Sequence, residues 1–374
     1  MHATQPLSST ESLLRPRSVC ARPAHHTSAR NNNAHKQRLP RPRRGFSLTE
    51  LLVVIGIIVL MVGILLVALG QVKRRADRTR TESIMQQFAN ACMSFHAEHG
   101  MYPGVIPDEM LSQASGPTLS STENALLHLM GGYRVLNPSN WNNTQANNDY
   151  NAYLADAQAT NSAIELGFGN GANEWKIAIN LRKVGEGPVI NGKPYAPYFS
   201  PGASDLVAVN GQENEPSGLK LPDLVDAWGQ PIIYLRQVRT RGPLTGPAND
   251  RPQFLIDGAL PYLDSTGLGE LSVDQTTGVK RSMLHIGGDD TRYDLMALIL
   301  AHPAFYDSAA PRNGQARGGF VLLSAGADGV YFSCIDGPGT EIQPIEPGSV
   351  QEKLLAPGPN VIDEFNDVRV FGGG

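Results

Sequence analysis

The stretch that decides the fold lies at residues 46–69 and reads FSLTELLVVIGIIVLMVGILLVAL. Residues 51–69 contain no charged side chain, and about 20 consecutive apolar residues are what a helix needs to cross a bilayer. A buried helix of a water-soluble core is the alternative, but such helices are usually shorter and amphipathic. We therefore expect residues 46–70 to form a single transmembrane helix.

Apolar or small residues continue beyond residue 70, mostly at intervals of three or four. They are Val72, Ala76, Thr79, Ile84, Phe88, Ala91, Cys92 and Phe95. This spacing predicts that an amphipathic helix over residues 71–100 continues the span, and Gly100 with Pro103 ends it. The result is one helix of about fifty residues, on the order of 80 Å long.

Charge is distributed unevenly along the chain. Residues 1–45 contain nine Lys or Arg and one acid, Glu11, whereas the 374 residues together have a net charge of -4. The leader is therefore strongly basic and the body acidic. Because the acidic body offers no basic surface, nucleic acid is excluded as its partner. The basic leader predicts a cytoplasmic N-terminus, with residues from about 71 onward outside the cytoplasm.

Glu50 interrupts the apolar segment near its start. An unpaired carboxylate in a membrane is costly, so it needs a partner or a functional reason. The alternative is that Glu50 reaches the membrane interface, which its position near the end of the span allows.

Residues 43–55, RRGFSLTELLVVI, resemble the prepilin N-terminal segment of type IV pilins and type II secretion pseudopilins. In that family a membrane prepilin peptidase cuts after the glycine and methylates the new N-terminal phenylalanine. The resemblance implies a basic leader peptide at residues 1–45, cleavage between Gly45 and Phe46, and N-methylation of Phe46. It also implies that Glu50 pairs with the N-terminal amine of an adjacent subunit.

The same residues also resemble a twin-arginine export signal before an apolar segment. Three features argue against that alternative. The apolar run is long for an export signal, it contains Glu50, and VALG at residues 67–70 offers no small-x-small cleavage site.

Three further segments resemble pseudopilin signatures. GMYP at residues 100–103 resembles the GxYP end of the helix, DAWGQPIIY at 226–234 resembles DPWGxPYxY, and GFVLLSAGADG at 319–329 resembles the SxGxDG hairpin. Residues 232–236 and 320–324 are β-prone runs bounded by Gly and Pro, and we expect antiparallel strands there. Trp228 is expected to be a core aromatic packed on the long helix.

The expected fold is therefore α+β, with a long N-terminal helix packed on a small antiparallel sheet and with large insertions. Residues 101–224 form a variable insertion, and residues 225–374 form the pilin-like sheet domain, itself interrupted at 237–317. Shorter helices are predicted over residues 123–130, 151–166 and 294–301.

In the family that the chain resembles, the loop after the SxGxDG turn can hold calcium, which here would recruit Asp328 and Asp336. The apolar residues 330–332 depart from that pattern. The alternative is a turn in which Asp328 accepts a hydrogen bond from its own backbone. Asp363, Glu364 and Asp367 are expected to be solvated.

Signals for an enzyme are poor. GPVINGKP at residues 187–194 nearly fits a phosphate-binding loop, but Pro194 replaces the required hydroxyl, so we expect a turn. Ser324 lacks a glycine two positions before it. His285, Asp289, Asp290 and His302 offer metal-ligand chemistry but surround the loop-forming Gly287 and Gly288.

The resemblance implies a structural pseudopilin of a type II secretion filament, not an enzyme, in the bacterial inner membrane with a periplasmic body. Its partners would be the prepilin peptidase, other pseudopilin subunits and the membrane. The alternatives are a minor pilin of a type IV pilus and an anchored periplasmic enzyme or binding module.

Overall fold

The computed structural model describes residues 46–111, 119–140, 142–169, 174–207, 219–256, 289–307, 309–333, 365 and 367–373. The chain divides into two compact units, Met1–Met61 and Val62–Gly374. In the first unit, the described residues are 46–61, which lead into and form the beginning of the N-terminal helix. The second unit contains the rest of that helix, two three-stranded sheets and the shorter helices.

The helices and strands are given in chain order. The helices are α1 (Leu48–His99), α2 (Asp108–Leu111), α3 (Ser121–Met130), α4 (Thr144–Ala159) and α5 (Asp289–Leu300). The strands are β1 (Tyr133–Leu136), β2 (Ala163–Phe168), β3 (Trp175–Asn180), β4 (Val189–Ile190), β5 (Lys193–Pro194), β6 (Leu206–Val207), β7 (Asp223–Leu224), β8 (Ile233–Arg236), β9 (Thr245–Gly246), β10 (Phe254–Leu255), β11 (Phe320–Ser324) and β12 (Val368–Gly372). The predicted α+β fold is confirmed.

The long helix is confirmed as one element of 52 residues. It is long and apolar enough to cross a membrane, and none of its most apolar 18-residue window is buried. This exposure argues against the core helix of a soluble protein, which would be covered. The helix ends where predicted, because Gly100 takes the left-handed conformation at φ 73° and donates its N–H to His96 O at 2.8 Å.

The buried face of α1 begins later than the sequence predicts. Val72, Ala76 and Thr79 are exposed, whereas burial starts at Thr81. The residues from there on that are buried are Thr81, Ile84, Met85, Phe88, Ala89, Ala91, Cys92 and Phe95. Helical spacing alone does not reveal how far along a helix its covering elements extend, and here they begin at the turn that contains Thr81.

The sheet that packs on α1 has the strand order β12-β11-β8, and both pairings are antiparallel. The two predicted strands are confirmed as β8 and β11. The third strand is β12 at the C-terminus, and residues 330–332 after the SxGxDG-like turn form no strand. Leu322 lies opposite Tyr234 on one side and Val370 on the other.

Both faces of this sheet are buried, which explains why FVLLS in β11 reads as a continuous apolar run. Tyr234, Phe320 and Leu322 belong to the cluster that contains Phe88 of α1. Val321 and Leu323 belong to the opposite cluster, which includes the apolar residues of α5. Alternate side chains therefore face α1 and α5.

Helix α3 closes the outer edge of β8. Thr122 Oγ1 donates to Ile232 O at 2.6 Å and accepts from Tyr234 N at 3.0 Å, while the Ser121 hydroxyl donates to Tyr234 O. The prediction of a helix over residues 123–130 is confirmed, and a capping box between Ser120 and Glu123 starts it two residues earlier. The helix predicted over 294–301 is also confirmed, as α5.

The helix predicted over residues 151–166 is wrong in its second half. Asn143 caps α4, which ends at Ala159, and Asn161 then takes a left-handed conformation at φ 49°. Residues 163–168 form β2, in the antiparallel sheet β1-β3-β2. Ile164, Leu166 and Phe168 are buried alternately, and this period of two indicates a strand.

Candidate processing and assembly site

The N-terminus of α1 is closed by a reciprocal set of hydrogen bonds. Ser47 Oγ accepts from Glu50 N at 3.1 Å, and Glu50 Oε2 accepts from Ser47 N at 2.9 Å and from Ser47 Oγ at 2.8 Å. This is a capping box, in which two backbone donors that the helix leaves unsatisfied are both bound. The helix therefore begins two residues after the predicted cleavage position.

Phe46 is 77% exposed, and Gly45 lies outside the described residues. The sequence predicted an interfacial or intersubunit role for the Glu50 carboxylate and not this capping role. The S-x-x-E spacing of Ser47 and Glu50 is the signal that indicates it. The structure holds the Glu50 carboxylate at the N-terminal end of its own helix, where negative charge is favourable.

A buried carboxylate joins the two motif segments of the body. Asp226 Oδ2 accepts from Ser324 Oγ at 2.7 Å, while its Oδ1 accepts from the backbone N–H groups of Trp228 and Gln230, both at 2.9 Å. Burial raises the pKa of Asp226, and these hydrogen bonds oppose the shift. Ser324 is thus a structural donor to Asp226.

The turn that follows Asp226 also contacts the long helix, because Ala227 N donates to Thr81 Oγ1 at 3.1 Å. Trp228 in this turn is only partly buried, so its prediction as a core aromatic is wrong. Phe88 and Tyr234, with ring centroids 5.6 Å apart, supply aromatic packing between α1 and the sheet. The described contact of Trp228 with this turn is through its backbone, whose N–H donates to Asp226 Oδ1.

Asp328 is exposed and lies in the turn after β11. Its Oδ1 accepts from Val330 N at 3.2 Å, which is the backbone bond expected of a turn aspartate. Within the described ranges no three His, Cys, Asp or Glu side chains are grouped to hold a metal ion. Asp336 lies outside those ranges, so calcium at Asp328 and Asp336 stays a prediction.

The prediction that Asp367 is solvated is wrong. It is 3% exposed, and its two carboxylate oxygens accept from Phe332 N at 3.0 and 3.1 Å. Burial raises its pKa well above the usual range. Asp367 directly precedes β12, so these bonds attach the chain after the β11 turn, at Phe332, to the start of β12. Asp363 and Glu364 lie outside the described residues.

The other candidate residues for phosphate or metal binding form no group of three metal-ligating side chains among the described residues. Residues 187–194 form the β4–β5 hairpin, with Asn191 and Gly192 both at positive φ, so the predicted turn is confirmed. His302 Nδ1 accepts from Ala304 N at 3.2 Å and caps a short 3-10 helix. His285 lies outside the described residues, and Asp289 and Asp290 begin α5.

Arg236 holds the segment after α1 in place, a role that no local sequence pattern predicted. Its Nε donates to Asp108 Oδ2 at 2.7 Å. Its two Nη groups donate to the carbonyls of Tyr102, Gly104 and Ile106 at 3.0 to 3.2 Å. An open cleft of about 1050 Å³ lies beside this cluster, and Trp175, Arg239 and Arg241 also line it.

Comparison with known proteins identifies the N-terminal segment alone. Residues 40–66 match the family model described as the prokaryotic N-terminal methylation motif. The match spans Gly45, Phe46 and Glu50, so the predicted methylation motif of the pilin and pseudopilin class is confirmed. No curated protein and no solved structure matches the chain. The apolar helix with this motif is consistent with an inner-membrane-anchored, pilin-like protein.

Proposed function

We propose that this chain is a structural subunit of a pilin-type filament, and that within this class it is a pseudopilin of a type II secretion system. In this proposal a prepilin peptidase cuts between Gly45 and Phe46 and methylates Phe46. The chain performs no catalysis. One observation carries the proposal. The methylation motif at residues 40–66 overlaps the first part of a helix of 52 residues, which begins at Leu48.

The exposure of α1 supports this role. Large apolar side chains of the helix are exposed between Leu48 and Leu65 and again at Leu69 and Val72, whereas the segment from Thr81 to Phe95 contributes buried side chains to the body. An apolar surface on all sides of a helix needs either lipid or other apolar helices around it. A filament subunit needs both, lipid before assembly and neighbouring helices after it.

Glu50 supplies the assembly contact in this proposal. Cleavage creates an ammonium at Phe46, and in a neighbouring subunit the Glu50 carboxylate lies beside apolar residues. Opposite charges attract strongly at low dielectric, while either charge alone is penalised. The pairing therefore favours one axial register between subunits. The capping box leaves the carboxylate with further acceptor capacity for that contact.

The type II assignment rests on the segments at residues 226–234 and 319–329. Their strands β8 and β11 pair directly, and the Asp226 to Ser324 hydrogen bond joins them. This connection supports the view that the two motifs form one structural unit. The assignment predicts that deleting the gene abolishes secretion of an exported protein and leaves surface pili unchanged. Loss of pili with normal secretion would instead favour a type IV pilin.

The experiment that tests processing is mass spectrometry of the intact protein extracted from membranes. We expect a chain of 329 residues that begins at N-methylated Phe46. A Gly45→Val variant should keep the leader, because the bond is blocked by a bulkier residue at the cleavage position. A wild-type chain with an intact leader, or with a cut after about residue 70, would overturn the proposal.

A membrane-anchored binding module is the second candidate. The open cleft beside Arg236 favours it, because binding sites are concave and contain a few polar groups. In that case the wild-type chain would insert in the membrane but would not need Glu50. Normal function of a Glu50→Ala variant would therefore favour the anchored module over the filament subunit.

A further inference from the structure

Three consecutive cations follow the apolar part of α1, and we name Lys73, Arg74 and Arg75 the basic collar. All three are exposed, and none makes an ion pair or hydrogen bond with any described residue. The next two cations differ, because Arg78 pairs with Glu82 at 3.0 Å and Arg80 pairs with Asp205 at 2.6 Å. The collar is therefore available to a partner outside the chain.

The distance of the basic collar from the apolar run matches the thickness of a lipid headgroup layer. At 1.5 Å per residue, residues 51–69 span about 28 Å, close to the roughly 30 Å hydrocarbon core of a bilayer. The collar begins four residues after Leu69, so it lies about 6 to 9 Å beyond the core. The headgroup region of each leaflet is about 5 to 8 Å thick.

The directions in which the three side chains of the basic collar point favour contact with a lipid headgroup layer over contact with a single neighbouring helix. Successive residues of an α-helix are about 100° apart, so Lys73, Arg74 and Arg75 point in directions spread over about 200°. A partner helix alongside α1 would meet one of these side chains at a time. A headgroup layer surrounds the helix and meets all three.

We propose that the basic collar binds the phosphate groups of anionic phospholipids in the leaflet next to the body. Guanidinium and ammonium groups form charge-assisted hydrogen bonds with phosphate, and phosphate is the charge that the membrane surface supplies. Each cation at such a surface contributes about a fivefold preference. The contact holds α1 at one depth in the bilayer. It rests on membrane insertion of the helix and is independent of filament assembly.

The test uses the full chain purified in a neutral detergent and mixed with equal amounts of phosphatidylglycerol and phosphatidylcholine. Native mass spectrometry counts the lipids that remain bound to each protein molecule. For the wild type we expect at least fivefold more bound phosphatidylglycerol than phosphatidylcholine. In the variant K73Q/R74Q/R75Q the ratio should fall at least threefold, because the charge of the basic collar is lost while the apolar helix and the other cations remain.

A matched control removes the same charge from the body. The variant R182Q/K193Q/R241Q replaces three exposed cations and should keep the wild-type lipid ratio. Thermal unfolding of both variants in detergent checks that each is folded. A ratio near one in the wild type, or an unchanged ratio in K73Q/R74Q/R75Q, would overturn the proposal.

One further outcome assigns the collar to another partner. If K73Q/R74Q/R75Q keeps the lipid ratio but loses chemical cross-links between subunits, the collar binds a second copy of the chain and the lipid proposal is wrong. Failure of leader cleavage would contradict the filament subunit, whereas the lipid test compares the wild type and K73Q/R74Q/R75Q with the same leader and does not depend on cleavage. The two proposals therefore fail separately.

Discussion

The carboxylate of Asp226 accepts a hydrogen bond from the hydroxyl of Ser324 at 2.7 Å, across 98 residues of sequence. Both residues are buried. Asp226 begins the motif at residues 226–234 and Ser324 lies within the motif at residues 319–329, so the bond joins the turn before β8 to the end of β11. Because Ala227 of the same turn contacts Thr81, this position links the sheet to α1.

We expect Asp226 and Ser324 to be energetically coupled. Ser324→Ala should lower the free energy of unfolding by about 1 to 2 kcal/mol, and Asp226→Ala by about 3 kcal/mol because it leaves several donors unsatisfied. The double variant should show a coupling energy of about 1 to 2 kcal/mol in chemical unfolding in detergent. Ser94→Ala, on an exposed face of α1, should cost less than about 0.5 kcal/mol. Simple additivity would contradict the role of the bond.

The capping and assembly roles of Glu50 are separable. Glu50→Gln keeps a side chain that serves a capping box but removes the charge, whereas Ser47→Ala weakens the cap and keeps the charge. If the charge drives assembly, Glu50→Gln should reduce cross-linked oligomers in membranes about tenfold or more, and Ser47→Ala about twofold or less. Membrane insertion should be unchanged in both. Equal losses in the two variants would indicate that capping alone is responsible.

His128 predicts a pH dependence of stability. Its Nδ1 accepts from Gly104 N at 3.0 Å, and burial, with Arg236 nearby, lowers its pKa from 6.5 to about 3. The unfolded chain therefore binds a proton near pH 6.5 that the folded chain excludes. The stabilisation that depends on a neutral His128 is fully present above pH 6.5. Below that pH the free energy of unfolding falls by about 1.4 kcal/mol for each pH unit.

The measurement for His128 compares urea unfolding of the wild type and His128→Asn between pH 7 and pH 4. Buried carboxyls with raised pKa values, such as Asp226 and Asp367, act in the opposite direction but are common to both proteins. The difference between the two curves should therefore shrink as the pH falls. The exposed His302, replaced by Asn, should leave the wild-type slope unchanged. A constant difference for His128→Asn would show that protonation of this residue is not linked to unfolding.

Arg236 should not tolerate replacement by lysine. Its guanidinium contacts Asp108 and three backbone carbonyls at once, and an ammonium has no planar fork with which to reach them all. We expect Arg236→Lys to lower the free energy of unfolding by about 2 to 4 kcal/mol. Arg241→Lys, at an exposed position, should change it by less than about 0.5 kcal/mol. Equal thermal midpoints for these two variants would contradict the bracing role of Arg236.

Much of the fold was predictable because local patterns specify it. The apolar run and the spacing after it predicted α1, and Gly100 predicted its end. The β-prone runs at residues 232–236 and 320–324 predicted β8 and β11. The methylation motif is a local pattern as well, and so is the S-x-x-E capping box, which was readable but overlooked.

The predictions were incomplete or wrong where the structure depends on residues that are distant in the sequence. A single sequence does not indicate that β12 completes the sheet, because antiparallel partners at that separation leave no local periodic signal. Asp367 was taken for a solvated tail residue, and only the position of Phe332 shows why a carboxylate is buried there. Trp228 was predicted to lie in the core, whereas it is only partly buried and the backbone of its turn binds Asp226.

The sequence by itself thus determined the long helix, its apolar half, its end and its N-terminal processing motif, since each depends on residues within a few turns of one another. Tertiary structure alone decided where the buried face of α1 starts, which strands flank β11 and which carboxylates are buried. These features depend on contacts between residues 35 to 146 positions apart, such as Phe332 with Asp367 and Thr81 with Ala227. Local periodicity carries no information about such contacts.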